Sequence, residues 1–144
     1  MKRFVQCVCV VLVLATILAI PAAAAESAGQ RGSDYFMKYS CYLWEISDTQ
    51  FEIWFDIVAL DTMDELGVSE IKLYRSSDKV DWTRVKTYTK DSYSQMTDTG
   101  RLRYADCVTY TYTSGYYYYA EVKFYAKKGS GTATMTIDTP IEAF

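Results

Sequence analysis

Strict alternation of apolar and polar residues marks two long segments of this chain as β-strands with one buried face. The segments are residues 51–60 and 116–127. The first places Phe51, Ile53, Phe55, Ile57 and Ala59 on one face, and the second places Tyr116, Tyr118, Ala120, Val122, Phe124 and Ala126 on one face. Successive strand residues point to opposite sides, so each segment is predicted to pack one face on a core and to expose the other.

Five shorter segments rich in Thr, Tyr, Val and Ile are predicted to complete the sheet structure. They are residues 39–46, 70–75, 82–89, 103–112 and 132–138. Seven strands in about 110 residues indicate a single all-β domain, an antiparallel β-sandwich. Two segments lack a regular pattern. Residues 61–67 are interpreted as a loop or one helical turn, and residues 90–100 as a long polar loop, a natural place for binding.

The N-terminus has the three parts of a secretory signal peptide. Lys2 and Arg3 precede an uncharged apolar run at 4–20, and Pro21 is followed by four alanines. Cleavage after residue 25 would leave a lead-in at 26–34 and the sandwich at 35–144. The alternative is an uncleaved anchor, because a 17-residue run is at the short limit for a membrane span. The Pro-Ala run favours cleavage, which predicts a secreted protein that is not held at the membrane.

Charge and composition exclude several classes of function. Cleavage removes two basic residues and no acid, which takes the formal net charge from −3 to −5. A nucleic-acid partner is not expected, since phosphate contacts require clustered Lys and Arg. The chain has no histidine, which removes histidine-activated nucleophiles and His-liganded metal sites. Neither a cofactor nor a metal is expected.

The acidic residues leave one hydrolytic route open, a pair of carboxylates as in glycosidases. Asp56 stands out because it lies mid-strand on the predicted outer face, although a solvated charge is the simpler interpretation. A second group, Asp61, Asp64, Glu65 and Glu70, offers oxygen ligands of the kind that calcium prefers. Its spacing matches no defined calcium loop, so a solvated acidic segment is the preferred interpretation.

Two cysteines would remain after cleavage, Cys41 and Cys107. An even count in an exported domain favours one disulfide. Closing a loop of about 65 residues would contribute about 4 kcal/mol in the chain-entropy model. The alternative is two buried free thiols.

An excess of aromatic residues is the positive signal for function. The chain contains 14 Tyr, 3 Trp and 6 Phe. Alternation places Trp54, Tyr117, Tyr119 and Tyr125 on outer faces, and Tyr74, Tyr88, Tyr110 and Tyr112 are additional candidates for either surface. Tyrosine offers a large contact area and a hydroxyl, which suits recognition of proteins or sugars. The competing interpretation is that cross-strand aromatic pairs stabilise a small sheet.

Three stretches of the chain resemble a fibronectin type III or immunoglobulin-like module. Residues 68–86 read VSEIKLYRSSDKVDWTRVK, residues 115–126 read GYYYYAEVKFYA, and the turn at 128–131 reads KGSG. The first matches a strand ending in YRS, a turn and then a Trp, and the second matches the penultimate strand of such modules. The chain is also similar to short uncharacterised proteins exported by Gram-positive bacteria, a likeness that brings no function with it.

The resemblance implies a sandwich used for binding or spacing without catalysis. It also implies that the strands of Cys41 and Cys107 flank the strand at 51–60. Their α-carbons would then lie nearly 10 Å apart, whereas a disulfide tolerates about 7 Å. The chain departs from the family in two respects. It stands alone, and it has no clear counterpart of the usual Trp of the second strand, because Trp54 is predicted to lie on the outer face.

Three hypotheses about function follow. The first is a secreted, non-enzymatic binding module that engages an extracellular protein or glycan through the outer tyrosine face or the 90–100 loop. The second is a small secreted glycan hydrolase that uses paired carboxylates. The third is a secreted antagonist or bacteriocin-like protein, which is favoured only by small size and solitary export.

Overall fold

The computed structural model describes residues 34–144, in which β-strands form nearly all of the regular structure. The strands are β1 (Phe36–Ser47), β2 (Gln50–Met63), β3 (Glu65–Ser76), β4 (Thr83–Thr89), β5 (Thr97–Asp98), β6 (Arg101–Thr111), β7 (Tyr117–Lys128), β8 (Gly131–Asp138) and β9 (Glu142–Ala143). One 3₁₀ turn spans Ser94–Met96. The predicted signal peptide and the lead-in up to residue 33 lie outside this range. Nothing helical in residues 34–144 has the length and apolar character that a membrane crossing requires.

The strands form two antiparallel sheets that pack as a sandwich. The first sheet has the order β1-β2-β6, and the second has the order β4-β3-β7-β8. The short strands β5 and β9 add to β3 and β7 of the second sheet. The prediction of an all-β chain with antiparallel sheets is confirmed, and each of the seven predicted strands corresponds to one long strand.

The core lies between the inner faces of β2 and β7, as their alternation predicts. Phe51, Ile53, Phe55, Ile57 and Ala59 are buried on β2, and Tyr118, Ala120, Val122, Phe124 and Ala126 are buried on β7. The Phe51 ring lies 5.4 Å from the Tyr118 ring and 4.6 Å from the Phe144 ring, measured between centroids. Burial of each large apolar side chain contributes about 1.5–3 kcal/mol.

The segment at 61–67 is strand rather than a loop or a helical turn. β2 continues to Met63 and β3 begins at Glu65, so the chain passes from one sheet to the other at Asp64. The Asp64 amide donates to the Lys127 carbonyl at 2.9 Å. The strands extend because Met63 and Leu66 are fully buried, and the acidic residues between them conceal this pattern in the sequence.

The loop at 90–100 is anchored to the sandwich rather than free. The Met96 side chain is fully buried, and the Tyr93 ring packs edge-on against Tyr88 at 5.0 Å. β5 pairs with β3, where Thr97 lies opposite Gly67. The predicted polar loop therefore contributes an apolar anchor to one end of the core.

Gly67 is required where β5 crosses close to β3. A Cβ at this position would meet the Met96 carbonyl oxygen and lie 2.8 Å from the Thr97 Cα, and the φ of Gly67 is +153°. We expect Gly67→Ala to destabilise the domain by about 2–6 kcal/mol, because the cost of moving backbone atoms adds to the cost of the unfavourable φ. Denaturant unfolding measures the loss.

The matched control is Gly100→Ala. Gly100 also has a positive φ, +66°, but a Cβ there meets no atom within 4 Å. We therefore expect only the conformational cost of an alanine at a positive φ, about 1–2 kcal/mol, without the steric cost. Equal losses for the two variants would contradict the close-approach argument.

Candidate binding surfaces

The four aromatic residues predicted to face outward lie on opposite sides of the sandwich. Trp54 is on the outer face of the first sheet, because β2 belongs to that sheet. Tyr117, Tyr119 and Tyr125 are on the outer face of the second sheet, because β7 belongs to it. The structure therefore does not bring the four residues together. Trp54 belongs to one surface, and the three tyrosines belong to another.

The surface on the first sheet consists of Tyr42, Trp44, Ile46, Glu52 and Trp54, and we call it the Trp54 surface. Tyr42 lies opposite Trp54, and Trp44 lies opposite Glu52, in the register of β1 and β2. The exposed fractions are 44% for Tyr42, 60% for Trp44 and 45% for Ile46. These three residues and Trp54 face the same side because they alternate with the buried residues of their strands.

The aromatic rings and one carboxylate define the geometry of the Trp54 surface. The rings of Tyr42 and Trp54 are nearly parallel, at 8°, with centroids 6.5 Å apart. The Trp54 indole Nε1 donates to Glu52 Oε2 at 2.8 Å, which holds the carboxylate among the rings. Together the five residues line a shallow groove of about 240 Å³.

The Cys107 thiol is the immediate neighbour of this carboxylate. Cys107 lies opposite Trp54 in the register of β2 and β6. Partial burial, followed by the charge of Glu52, raises the pKa of Cys107 to about 11. The thiol is therefore protonated near neutral pH and adds no negative charge beside the carboxylate of Glu52. Such a group can accept hydrogen bonds from hydroxyls of a ligand stacked on the rings.

On the second sheet, two of the three predicted tyrosines already have a cation on their ring. Lys79 Nζ lies 4.3 Å from the Tyr117 centroid, and Lys90 Nζ lies 4.2 Å from the Tyr125 centroid. Lys90 also pairs with Glu65 at 2.9 Å. These contacts are cation–π interactions that stabilise the sheet surface, and they cover the ring faces that a ligand would use.

Tyr119 is arranged differently and lines a groove on the second sheet. Its ring is parallel to the Tyr74 ring, at 10° and 5.0 Å, and perpendicular to the Trp82 ring, at 85° and 4.7 Å. A groove of about 450 Å³ is lined by Trp82, Tyr119, Asp138, Thr139, Pro140 and Ile141. We call it the Tyr119 groove. Its volume lies within the range of small-ligand sites.

Three of the additional tyrosine candidates belong to the core rather than to a surface. Tyr88 and Tyr112 are buried, and Tyr110 is half-buried against the core. Buried Tyr88 keeps its hydroxyl satisfied by donating to the Thr109 carbonyl at 2.9 Å. Tyr74 is the fourth candidate, and it lies on the outer face beside Tyr119.

The acidic residues singled out in the sequence are held by basic or backbone partners. Asp56 accepts two hydrogen bonds from the Arg103 guanidinium, at 3.0 and 2.7 Å. Asp61 pairs with Lys128, and Asp64 accepts from the Gly129 amide at 2.6 Å. Within residues 34–144, no three acidic or cysteine side chains are grouped so that they could hold a metal ion.

The predicted disulfide between Cys41 and Cys107 is wrong, because both residues are free thiols. β2 lies between their strands, and Cys41 pairs with Phe55 whereas Cys107 pairs with Trp54. Neighbouring residues of β2 point to opposite faces. Cys41 therefore faces the core and Cys107 faces outward, so the two sulfur atoms lie on opposite sides of one sheet. Burial raises the pKa of Cys41 to about 12.

We expect the domain at residues 35–144, purified without reductant, to show two reactive thiols in denaturant. The native domain should react more slowly, because both pKa values are raised and less thiolate is present near neutral pH. Titration with a thiol reagent measures both states. Cys107→Ser should leave the midpoint temperature of unfolding unchanged. A fall of several degrees in this variant, together with an absence of titratable thiols in the wild type, would indicate a disulfide.

Sequence reasoning missed Tyr42, Trp44 and Trp82. The first two could have been found, because they alternate with Cys41 and Leu43, which are buried. Trp82 precedes β4 and reaches the groove through tertiary packing against Tyr119. No periodic signal in the sequence marks that contact.

Comparison with known proteins gives one structural likeness. No family model matches the chain, and no curated protein matches it. A solved X-ray structure, described as Northeast Structural Genomics Consortium target SoR45, is similar with 9% sequence identity and a TM-score of 0.40. The match covers 75% of this chain and 87% of that chain. A similarity of this size identifies neither the type of sandwich nor a function.

Proposed function

We propose that the protein is a secreted, non-enzymatic binding module that engages a glycan through the Trp54 surface. The observation that carries this proposal is the exposure of Tyr42 and Trp44, at 44% and 60%, beside the fixed carboxylate of Glu52. Large exposed aromatic residues on one face mark interaction sites more often than isolated ones do.

The chemistry of the surface suits a sugar. Sugar rings present C–H groups on their faces and hydroxyls at their edges, and an aromatic side chain offers a flat apolar face. Glu52 adds an acceptor for the hydroxyls, at the level of the rings. The groove is shallow and open along β1 and β2, so an extended chain of sugar units could lie across Tyr42, Trp44 and Trp54.

The sandwich is proposed to be of the fibronectin type III or immunoglobulin-like type. Three long strands in one sheet and four in the other, with β2 between β1 and β6, support this assignment. Modules of this type serve as rigid frames that present a surface. The signal peptide predicted at residues 1–25 supports export, which would place the Trp54 surface where glycans are accessible.

We expect Trp44→Ala to weaken glycan binding about tenfold or more without loss of stability. Trp44 is exposed, so its removal costs little packing, whereas loss of one aromatic stacking contact costs about 0.5–1.5 kcal/mol beyond the lost contact area. Binding is measured by a glycan array followed by calorimetry with the best oligosaccharide. The control is Val80→Ala, which removes an exposed apolar side chain from a distant turn.

Glu52→Gln tests the role of the carboxylate. The amide keeps the size and one acceptor oxygen but loses the charge, and charge-assisted hydrogen bonds are about twice as strong as neutral ones. We expect severalfold weaker binding, with aromatic stacking retained. If neither variant changes binding to any glycan that the wild type binds, the Trp54 surface is not the site.

A protein partner is the second candidate, and the free edge of β1 favours it. β1 is an outer strand of 12 residues, and no element in residues 34–144 pairs with its far side. The strand carries four exposed large apolar residues, namely Met37, Tyr42, Trp44 and Ile46. Long unprotected edges of this kind accept an added strand. A wild type that ignores the glycan array but captures one protein, and that loses it in Trp44→Ala, would favour this candidate.

A further inference from the structure

The outward tyrosines of β7 differ in whether they have a cation. Tyr117 has Lys79 on its ring and Tyr125 has Lys90. No Lys or Arg of residues 34–144 lies over the ring of Tyr119 or Trp82. The Tyr119 groove is therefore the place on this face where aromatic rings remain without a cation.

The same groove carries a carboxylate that lacks a basic partner. Asp138 forms no ion pair within the described chain. It lies directly opposite Glu121 in the register of β7 and β8, and like charges in this position repel each other. Lys72 is already engaged, because its Nζ lies 3.0 Å from Glu121 and 3.3 Å from Glu70.

The electrostatic effect on neighbouring groups agrees with this arrangement. Partial burial, followed by the charge of Glu121, raises the pKa of Asp138. Partial burial and then the charge of Asp138 raise the pKa of Tyr119. Burial is the larger cause of both shifts, and the neighbouring negative charge adds to each of them. A bound cation would reduce this second contribution.

The rings of Trp82 and Tyr119 meet edge to face and form one corner of the groove. Trp82 stands perpendicular to Tyr119 at 4.7 Å, and Tyr119 is backed by the parallel ring of Tyr74 at 5.0 Å. Trp82 and Tyr119 therefore present two walls at right angles, and Asp138 lines the same groove. Pro140 and Ile141 supply the apolar side, which suits the methylene or methyl groups of an organic cation rather than a hydrated metal ion.

We propose that the Tyr119 groove is a second binding site, for an organic ammonium cation held against the rings of Trp82 and Tyr119 and beside the carboxylate of Asp138. The group that the site would recognise is a positively charged nitrogen that carries one or more alkyl groups. Its source is either a free quaternary ammonium compound or a lysine side chain of a peptide. This site lies on the sheet opposite the Trp54 surface, so it does not depend on the proposed glycan function.

The test uses tetramethylammonium as the probe, and the signal is the shift of the backbone amide resonances of Tyr119, Thr139 and Ile141 in a two-dimensional NMR spectrum. We expect saturable binding by the mature domain. Asp138→Asn and Trp82→Ala should each weaken it about tenfold or more, as expected for loss of a charge partner or a cation–π wall. The matched control is Asp48→Asn, which removes one negative charge from a turn of the first sheet, and it should bind as the wild type does.

Three comparison probes make the outcome decisive. tert-Butanol is a neutral molecule of similar shape, and it should not bind. Equal binding of tert-butanol, absence of saturation by tetramethylammonium, or an unchanged affinity in Asp138→Asn would overturn the proposal. A lysine-containing peptide and choline are titrated in parallel, and the tighter of the two identifies the source of the cation. Loss of glycan binding in Trp44→Ala leaves these results unaffected, so the two proposals fail separately.

Discussion

The two-residue alternation along β2 and β7 is the constraint on which the structure depends. Both strands are flanked by a partner on each side, and the inner-face residues of both are buried. A slip of one residue in either strand would turn its whole apolar set to solvent and bring Glu52 or Glu121 into the core. The core therefore fixes the register, and the register fixes which aromatic residues face outward. Trp54 and Tyr119 face outward as a consequence of how Phe51 and Tyr118 are buried.

The C-terminal segment links the core to the Tyr119 groove. Phe144 stacks on Phe51, and its carbonyl accepts a hydrogen bond from the Gly115 amide at 2.6 Å. At the other end of the segment, the Thr139 amide donates to the Ala120 carbonyl at 2.8 Å. Pro140 and Ile141 are thus held between two anchored points. The wall that they form is positioned by core packing and by the backbone, without a disulfide.

Alternation predicted the strands, the core faces and the outward positions of the four aromatic candidates. It could not place Trp54 and Tyr119 on different sheets, because the pairing of strands depends on contacts distant in sequence. The acidic residues around Met63 obscured the end of β2 and the start of β3 in the sequence. Met63 and Leu66 are buried there by tertiary packing. The disulfide was a different error. Alternation alone puts Cys41 on the same face as buried Leu43, two residues away. It puts Cys107 on the opposite face from buried Val108, its neighbour in sequence.

The distribution of charge, more than the number of aromatic residues, decides which aromatic rings remain free of a lysine side chain. A lysine that rests on a tyrosine ring stabilises the fold and occupies the face that a ligand would use. Tyr117 and Tyr125 are in this state. The Trp54 surface and the Tyr119 groove share the opposite arrangement, since each combines uncovered rings with one carboxylate, Glu52 or Asp138. The carboxylate at each surface therefore suits the ligand proposed for it, a hydrogen-bond donor at Glu52 and a cation at Asp138.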